Sequence, residues 1–124
     1  MKLCLLSGSF AVCRLEPGAA VPGWATGHFV SITRTAEELS IVCDQSHVPD
    51  GIQAEPGWRC FRVAGKVDFS MVGVIAELTR VLAEAEVSVF VVSSYDTDFV
   101  LVRDADVSKS IEALRRVRHV GEDT

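Results

Sequence analysis

The sequence predicts an α+β fold of two tandem βαββα-type units, the first degenerate, with antiparallel sheets and helices on one face. Three observations lead to this prediction: an internal repeat, a helical pattern confined to the second copy, and pairs of short apolar segments joined by polar turns. We therefore divide the chain into a degenerate N-terminal unit, residues 1–57, and a C-terminal unit, residues 58–124.

The repeat comes in two pieces. Residues 10–15 (FAVCRL) align with residues 58–63 (WRCFRV), and residues 38–44 (ELSIVCD) align with residues 98–104 (DFVLVRD). Because the second pair lies further apart in the chain than the first, the first copy is shorter in its middle.

The middle of the second copy has the pattern of an amphipathic helix. Apolar residues recur there at steps of three and four, with Glu77, Arg80 and Glu84 on the other face, and Asp68 or Ser70 can cap its start. The apolar positions are Val72, Ile75, Leu78, Val81, Leu82 and Ala85. In the first copy residues 16–27 contain Pro17, Pro22 and three glycines, which predicts a turn or a short helix at most.

Alternating apolar residues and turn signals predict the strands. Two hairpins are expected in the first copy, one from residues 2–7 and 9–15 and another from residues 28–34 and 38–43, followed by a linker over residues 45–57. The second copy has strands over 58–66, 87–94 and 97–103. Its last helix, about 106–118, starts at Asp104 or Asp106 and ends in the basic cluster Arg115, Arg116 and Arg118.

Composition limits the classes of partner. A net charge of −5 and a pI near 5.1 argue against binding to nucleic acid or to an anionic membrane. The four cysteines stand singly in apolar segments, which is typical of buried hydrophobic residues in a reducing compartment. A faint signal-peptide pattern breaks at residues 7–9, and no apolar run approaches the ~18 residues of a membrane span, so we expect a cytoplasmic protein.

An apolar fraction of 48% supports a substantial core or a subunit interface. Because the first copy has few helices to cover its sheet, some apolar surface there should need a partner. We therefore expect a homodimer.

Four segments resemble a known family. Residues 67–78 (VDFSMVGVIAEL) and 82–89 look like the strand-to-helix signature of ACT domains, in which an Asp, a loop and a Gly precede such a helix. Residues 93–102 and 33–42 extend the match to bacterial tandem-ACT proteins related to the cytosolic arginine-sensor (CASTOR) family. The family usually has Gly where Glu86 stands, so we expect a local strain of roughly 1 kcal/mol at that turn.

This resemblance implies a ferredoxin-like ACT fold, an amino acid of unknown identity held where two units meet, and allosteric regulation of an enzyme or another protein partner. It implies no cofactor. The candidate ligand-binding residues lie in a loop before the helix and in a hairpin: Asp68, Phe69, Ser70, Met71, Gly73, Ser93, Ser94, Tyr95, Asp96, Thr97 and Asp98.

Elementary chemistry agrees with these positions. The unpaired N–H groups at a helix start suit a ligand carboxylate, and Asp96, Asp98 or Glu38 can receive its ammonium group. Tyr95 and Phe99 can wall a side-chain pocket, and the hydroxyls of Ser93 and Ser94 can orient the ligand.

Simpler interpretations stand beside these. Asp68 and Ser70 cap the helix while Gly73 packs closely; the Asp96-Thr97-Asp98 segment is a polar turn; and Phe99 belongs to the core. A metal at this segment would lack further ligands, and the scattered His28, His47 and His119 suggest no catalytic triad.

The function predicted first is therefore a non-enzymatic, amino-acid-responsive regulator. A ligand-free ACT-type dimerisation module is the second hypothesis, and a small enzyme that uses the acidic hairpin is a remote third.

Overall fold

The computed structural model describes residues 2–64 and 73–122, and the chain separates into two compact units. We call Gly8–Trp58 the inserted unit, and Met1–Ser7 together with Arg59–Thr124 the split unit. The predicted division between residues 57 and 58 lies one residue before the observed boundary, and it differs more at the start of the chain. Residues 1–7 join the second half because strand β1 (Lys2–Leu5) pairs with strands that come from it.

The described part of the split unit contains two helices and a sheet. Strand β5 (Gln53–Ala64) contributes its second part to this sheet, where it runs antiparallel to β1. The elements that follow in chain order are α1 (Val74–Glu84), β6 (Val89–Ser93), β7 (Asp98–Arg103), α2 (Val107–Arg115) and β8 (His119–Glu122). Strands β6 and β7 are antiparallel, β7 pairs with β5, and β1 pairs in parallel with β8. The predicted α+β fold is confirmed, with β8 as an additional strand.

The core of the split unit lies between one face of this sheet and the two helices. Alternate strand residues point to that face, as the period of two in a strand requires. Leu78 and Leu82 on α1 and Leu114 on α2 are almost completely buried against it. The strand residues of the cluster are Leu3, Leu5, Phe61, Val63, Val100, Val102 and Val120. The predicted apolar stripe from Ile75 to Ala85 is therefore the packing face of the helix, whereas Val72, also predicted for it, lies outside the described residues.

Helix α1 ends in a motif that needs a left-handed residue. The Val87 N–H donates to the Leu82 carbonyl at 2.9 Å and the Glu86 N–H donates to the Ala83 carbonyl at 2.9 Å, which is the bond pattern of a Schellman motif. Glu86 has φ +61°, and Leu82 and Val87 both belong to the buried core. The turn has the left-handed geometry that glycine favours, although a glutamate stands there.

Helix α2 is shorter than predicted. A 3₁₀ turn over Asp104–Asp106 precedes it, and Asp106 is the N-cap residue but makes no side-chain capping bond. The helix stops at Arg115, because the chain turns into β8, a strand that the sequence analysis missed. Arg118, read as part of a basic helix end, forms an ion pair with Glu77 on α1, at 2.9 Å.

The inserted unit is an antiparallel sheet. Its strands are β2 (Phe10–Leu15), β3 (Ser31–Arg34), β4 (Leu39–Asp44) and the first part of β5, in the order β3-β4-β2-β5. The hairpin of β3 and β4 is confirmed, with a turn in which the Thr35 hydroxyl accepts from the N–H groups of Glu37 and Glu38. A 3₁₀ turn over Gln45–His47 follows β4.

Two predictions for this half are wrong. The strands around residues 2–7 and 9–15 do not form a hairpin, because β1 pairs with β5 and β8 whereas β2 pairs with β4 and β5. Residues 7–9 connect the two units instead of forming a hairpin turn. The predicted linker over 45–57 is also too long, since Gln53 already begins β5 and pairs with Arg14.

Irregular backbone covers the core of the inserted unit. The buried residues Ala11, Cys13, Leu39, Ile41 and Cys43 form this core. Side chains of Ala19, Trp24, Ala25 and Val30 pack on it. The predicted turns are present, with hydrogen bonds from Ala19 to Glu16 at 3.0 Å and from Ala25 to Pro22 at 3.2 Å. One face of this sheet is thus covered by residues of the same chain. An uncovered sheet face is therefore no longer a reason to expect a dimer, and only smaller exposed apolar surfaces remain as one.

Among the described residues, neither helix has the length and the apolar character needed to cross a membrane.

Candidate functional site

The β6–β7 hairpin carries most of the described candidate residues. Its turn closes through Ser94, whose N–H donates to the Thr97 carbonyl at 2.8 Å and whose hydroxyl donates to the same oxygen at 3.0 Å. The Thr97 N–H donates back to the Ser94 hydroxyl at 3.3 Å. The segment is therefore hydrogen-bonded internally as a polar turn. The hydroxyl proton of Ser94 is already donated within this turn.

The same turn is fastened to strand β5. The Thr97 hydroxyl donates to the Val63 carbonyl at 2.6 Å, a contact between residues far apart in sequence. Val63 is the penultimate residue of β5, after which the chain enters the predicted ligand loop. The hairpin turn and the end of β5 therefore lie side by side in the split unit.

The loop itself is described only at its end. Asp68, Phe69, Ser70 and Met71 lie outside the described residues. Gly73 immediately precedes α1 with φ +87°, and a Cβ on it would meet no described atom within 4 Å. Close packing of Gly73 therefore does not explain the glycine among these residues, whereas its left-handed backbone does.

The hairpin presents its remaining candidates to solvent. Ser93 and Asp96 are exposed and Asp98 is half-buried. Tyr95 is 102% exposed, so it does not form a pocket wall together with the half-buried Phe99 in this chain. An exposed carboxylate and an exposed aromatic ring thus stand at the tip of a turn that is rigidly bonded at its base.

A second concave site lies within the inserted unit. It is a cleft of about 190 Å³ on the sheet face opposite the core, and its polar lining is Arg14, Glu38, Ser40, Gln53 and Glu55. Glu38, considered above as a carboxylate for the predicted ligand, lines this cleft. Arg14, Gln53 and Glu55 were not predicted as site residues. Arg14 is the charged residue of the otherwise apolar β2, which was a usable signal, but residues 53–55 were assigned to a linker.

All four cysteines are buried and free, as their apolar settings predicted. Burial raises the pKa of the Cys60 thiol to about 12. Burial, with Cys43 close by, raises the pKa of Cys13 to about 11. Because the thiolate is the nucleophilic form, these groups behave as apolar side chains at neutral pH.

Asp44 organises the 3₁₀ turn after β4. Its Oδ1 accepts from the Ser46 hydroxyl at 2.7 Å and from the Ser46 N–H at 2.9 Å. These hydrogen bonds favour the charged carboxylate and lower the pKa of Asp44. This aspartate has a structural role in the inserted unit.

The split unit, with its strand, helix, hairpin, helix and closing strand over one core, defines a ferredoxin-like α+β domain of the kind that small-molecule regulatory modules use. A family model described as an ACT domain matches residues 53–116, and the chain belongs to the ACT domain family. Another model, of an N-terminal domain, matches residues 8–51.

Two curated proteins with the same name are similar to this chain. Residues of this chain are 31% identical over 106 positions to the cytosolic arginine sensor for mTORC1 subunit 1 of Rattus norvegicus, covering 77% of this chain and 32% of that protein. The same-named protein of Bos taurus is 27% identical, covering 82% of this chain and 33% of its own length. The chain therefore spans about a third of the length of these curated relatives.

Solved structures support the fold. A crystal structure of a protein from Agrobacterium tumefaciens has a TM-score of 0.93 at 38% identity and covers 99% of this chain and 93% of that chain. The regulatory subunit of aspartate kinase from Thermus thermophilus has a TM-score of 0.64 at 11% identity, with 94% of this chain and 97% of that chain covered. The second likeness is one of fold alone.

Proposed function

We propose that this chain is a non-enzymatic regulatory protein that binds an amino acid at the β6–β7 hairpin and the adjoining loop before α1, and that binding acts on a protein partner. One observation carries the proposal. The bond from the Thr97 hydroxyl to the Val63 carbonyl keeps the hairpin turn next to the point where the loop begins. Ligand groups can then be shared between two segments that are distant in sequence.

The start of α1 and the hairpin turn suit opposite charges of an amino acid. Helix α1 has 11 residues, and its first unpaired N–H groups after Gly73 suit the ligand carboxylate. The exposed Asp96 carboxylate suits the ammonium group. Tyr95, fully exposed beside it, can cover the ligand or meet a partner protein. The names of the curated relatives support an amino acid as the ligand class.

The first experiment is a thermal-shift screen of the purified chain against the twenty amino acids. A ligand at one hundred times its dissociation constant adds about 2.7 kcal/mol to the free energy of unfolding. Asp96→Asn should abolish a selective shift. Asp50→Asn is the matched control, because it removes one exposed acidic charge from a turn of the inserted unit.

Equal shifts in the wild type and in Asp96→Asn would remove this carboxylate from the site. No shift with any amino acid at millimolar concentrations would overturn the sensing function.

The second candidate function is a ligand-free dimerisation module. Ile32 on β3 and Val91 on β6 are 44% and 38% exposed, on strands that end the sheet of their respective units. Exposed apolar residues on an edge strand favour pairing with another chain. A homodimer by sedimentation that Ile32→Lys or Val91→Lys dissociates, without any ligand shift, supports this candidate.

A cytoplasmic location completes the proposal, since the curated relatives are named as cytosolic. Turnover of any substrate that depends on Asp96 or Asp98 would overturn the non-enzymatic role.

A further inference from the structure

We propose that one end of the split unit, where α2 stops and where β1 and β8 begin, binds a short acidic segment of the regulated protein partner. We call this surface the basic end and define it by Lys2, Arg115, Arg116 and His119. The inference deepens the proposed function and rests on it for the existence of a protein partner, to which it adds a chemistry.

The basic end holds cations that have no partner inside the chain. Among residues 2–64 and 73–122, every lysine and arginine other than Lys2, Arg115 and Arg116 makes a hydrogen bond, an ion pair or another interaction. The chain has 17 acidic and 12 basic side chains, so carboxylates are not scarce. Three unpaired cations at one end of this unit therefore need an explanation.

The fold brings these side chains to the same end. Lys2 and His119 are register partners at the starts of the parallel strands β1 and β8. Arg115 is the last residue of α2, and four residues of extended chain cover at most about 14 Å, so its Cα atom lies within that distance of His119. All four residues of the basic end are exposed.

The end of the helix explains only part of this arrangement. The negative end of a helix dipole favours a cation in the last turn, which accounts for Arg115. It does not account for Lys2, which belongs to a strand. Glu112 stands four residues before Arg116, a spacing at which helical side chains meet, yet the described part of the chain has no ion pair between them.

The chemistry of the basic end suits a ligand with several carboxylates. An arginine binds a carboxylate through two parallel N–H···O bonds, and here two arginines are adjacent. Leu3 and Val120 point to the core, so their neighbours Lys2 and His119 point to the other face of the sheet. A ligand that contacts these side chains and the end of α2 must pass around the strand ends.

These positions favour an extended peptide over a small anion. Six residues of extended peptide reach about 20 Å, enough to contact both faces of the sheet at this end. The net charge of −5 repels long polyanions such as nucleic acids and anionic membranes. A short acidic segment of a protein is therefore the partner that fits.

The test is an amide-resolved NMR titration of the full chain with terminally blocked hexaglutamate, in the absence of amino acids. We expect shifts of the amides of residues 2–4 and 114–120. Hexaglutamine should cause none of these shifts, because it has the same length without the charges. Since salt screens exposed ion pairs, the affinity for hexaglutamate should fall as the ionic strength rises.

A set of variants isolates the basic end. Arg115→Gln and Arg116→Gln should each weaken hexaglutamate binding about threefold, the effect of losing one exposed ion pair. Arg80→Gln is the matched control, because it makes the same change on α1 at a guanidinium that is already paired with Glu84 at 2.8 Å. It should leave the affinity unchanged.

Four results would overturn the proposal. They are an absence of shifts with hexaglutamate, shifts centred on another surface, equal effects of Arg80→Gln and Arg116→Gln, and tighter binding of hexathymidylate than of hexaglutamate. A dimer in sedimentation that Arg115→Gln dissociates would also overturn it, because the surface would then belong to an interface with a second copy.

The basic end and amino-acid sensing can fail separately. Hexaglutamate binding without any shift in the thermal screen of amino acids supports the basic end and overturns the sensing function. A selective amino-acid shift without hexaglutamate binding leaves the sensing function standing and overturns the basic end.

Discussion

The inserted and split units each cover one apolar sheet face, but with different kinds of structure. Each has a β-hairpin followed by a 3₁₀ turn, at β3–β4 and at β6–β7. The split unit buries one sheet face under two amphipathic helices. The inserted unit buries its corresponding core under turns that carry Trp24 and Val30. Burial of apolar side chains is thus the shared requirement, and the helix is one way to meet it.

The largest effect should come from removing a helix contact in the split unit. Leu78→Ala deletes a side chain that is 0% exposed and should lower the free energy of unfolding by about 3 kcal/mol. Glu112→Ala, at an exposed position of α2, should change it by less than about 0.5 kcal/mol. Chemical denaturation measures both. Similar values for the two variants would contradict the role assigned to the helix face.

A smaller loss of stability is expected when a side chain is removed from the turns that cover the core of the inserted unit. Trp24→Ala removes a half-buried ring from the core of the inserted unit and should cost about 2 kcal/mol, less than a fully buried ring. Hydrogen exchange at the β4 amides should accelerate accordingly. Unchanged exchange would mean that the turn segment does not stabilise this sheet, and the analogy between turns and helices would fail.

The end of helix α1 offers a gain in stability. Glu86→Gly places the residue without a Cβ at φ +61° and should raise the free energy of unfolding by about 1 kcal/mol. Glu84→Gly, at the last residue of the helix, removes a better helix former and its ion pair with Arg80, and should lower it by up to about 1 kcal/mol. Opposite signs in thermal denaturation confirm the Schellman geometry, and two losses would contradict it.

The smallest effect concerns the 3₁₀ turn of the inserted unit. Asp44→Ala removes the acceptor for Ser46 and should cost about 1 kcal/mol or less. Because folding lowers the pKa of Asp44, its contribution is complete above the ordinary value of 3.8 and is lost as the pH falls through the lower folded value. Denaturation of wild type and variant from pH 7 downwards should show the difference shrinking, and a constant difference would exclude the carboxylate's charge as its cause.

Local pattern was enough to predict most elements of both units. The apolar steps from Ile75 to Leu82 define one helix face, and the short apolar segments of β4 and β7 with their turn residues predict the two hairpins. The turns between Glu16 and Gly27 followed from their prolines and glycines. In these segments the local preference and the final packing agree.

Pairing between distant segments was not predictable in the same way. Lys2–Leu5 looks like the first half of a hairpin, yet its partners are residues 61–64 and 119–122. The apolar pattern of β8 is short, and Gly121 lies inside it. Gln53–Gly57 contains Pro56 and the acidic Glu55, so its strand depends on pairing with β2.

The two candidate sites also differ in how far the sequence could predict them. The hairpin turn with Tyr95 and Asp96 could be located from local composition. The row of Arg14, Ser40 and Gln53 in the cleft of the inserted unit could not, because it depends on the register of three strands from different parts of the chain.

Strand β1 has a consequence for the order of events during synthesis. It precedes both of its neighbours in the chain, and its pairing with β8 cannot form until residues 119–122 have been synthesised, long after β5 is available. The inserted unit depends on closer contacts and is complete at Trp58. Since local contacts form faster than distant ones, we expect the inserted unit to fold on the ribosome while β1 still waits for its second neighbour.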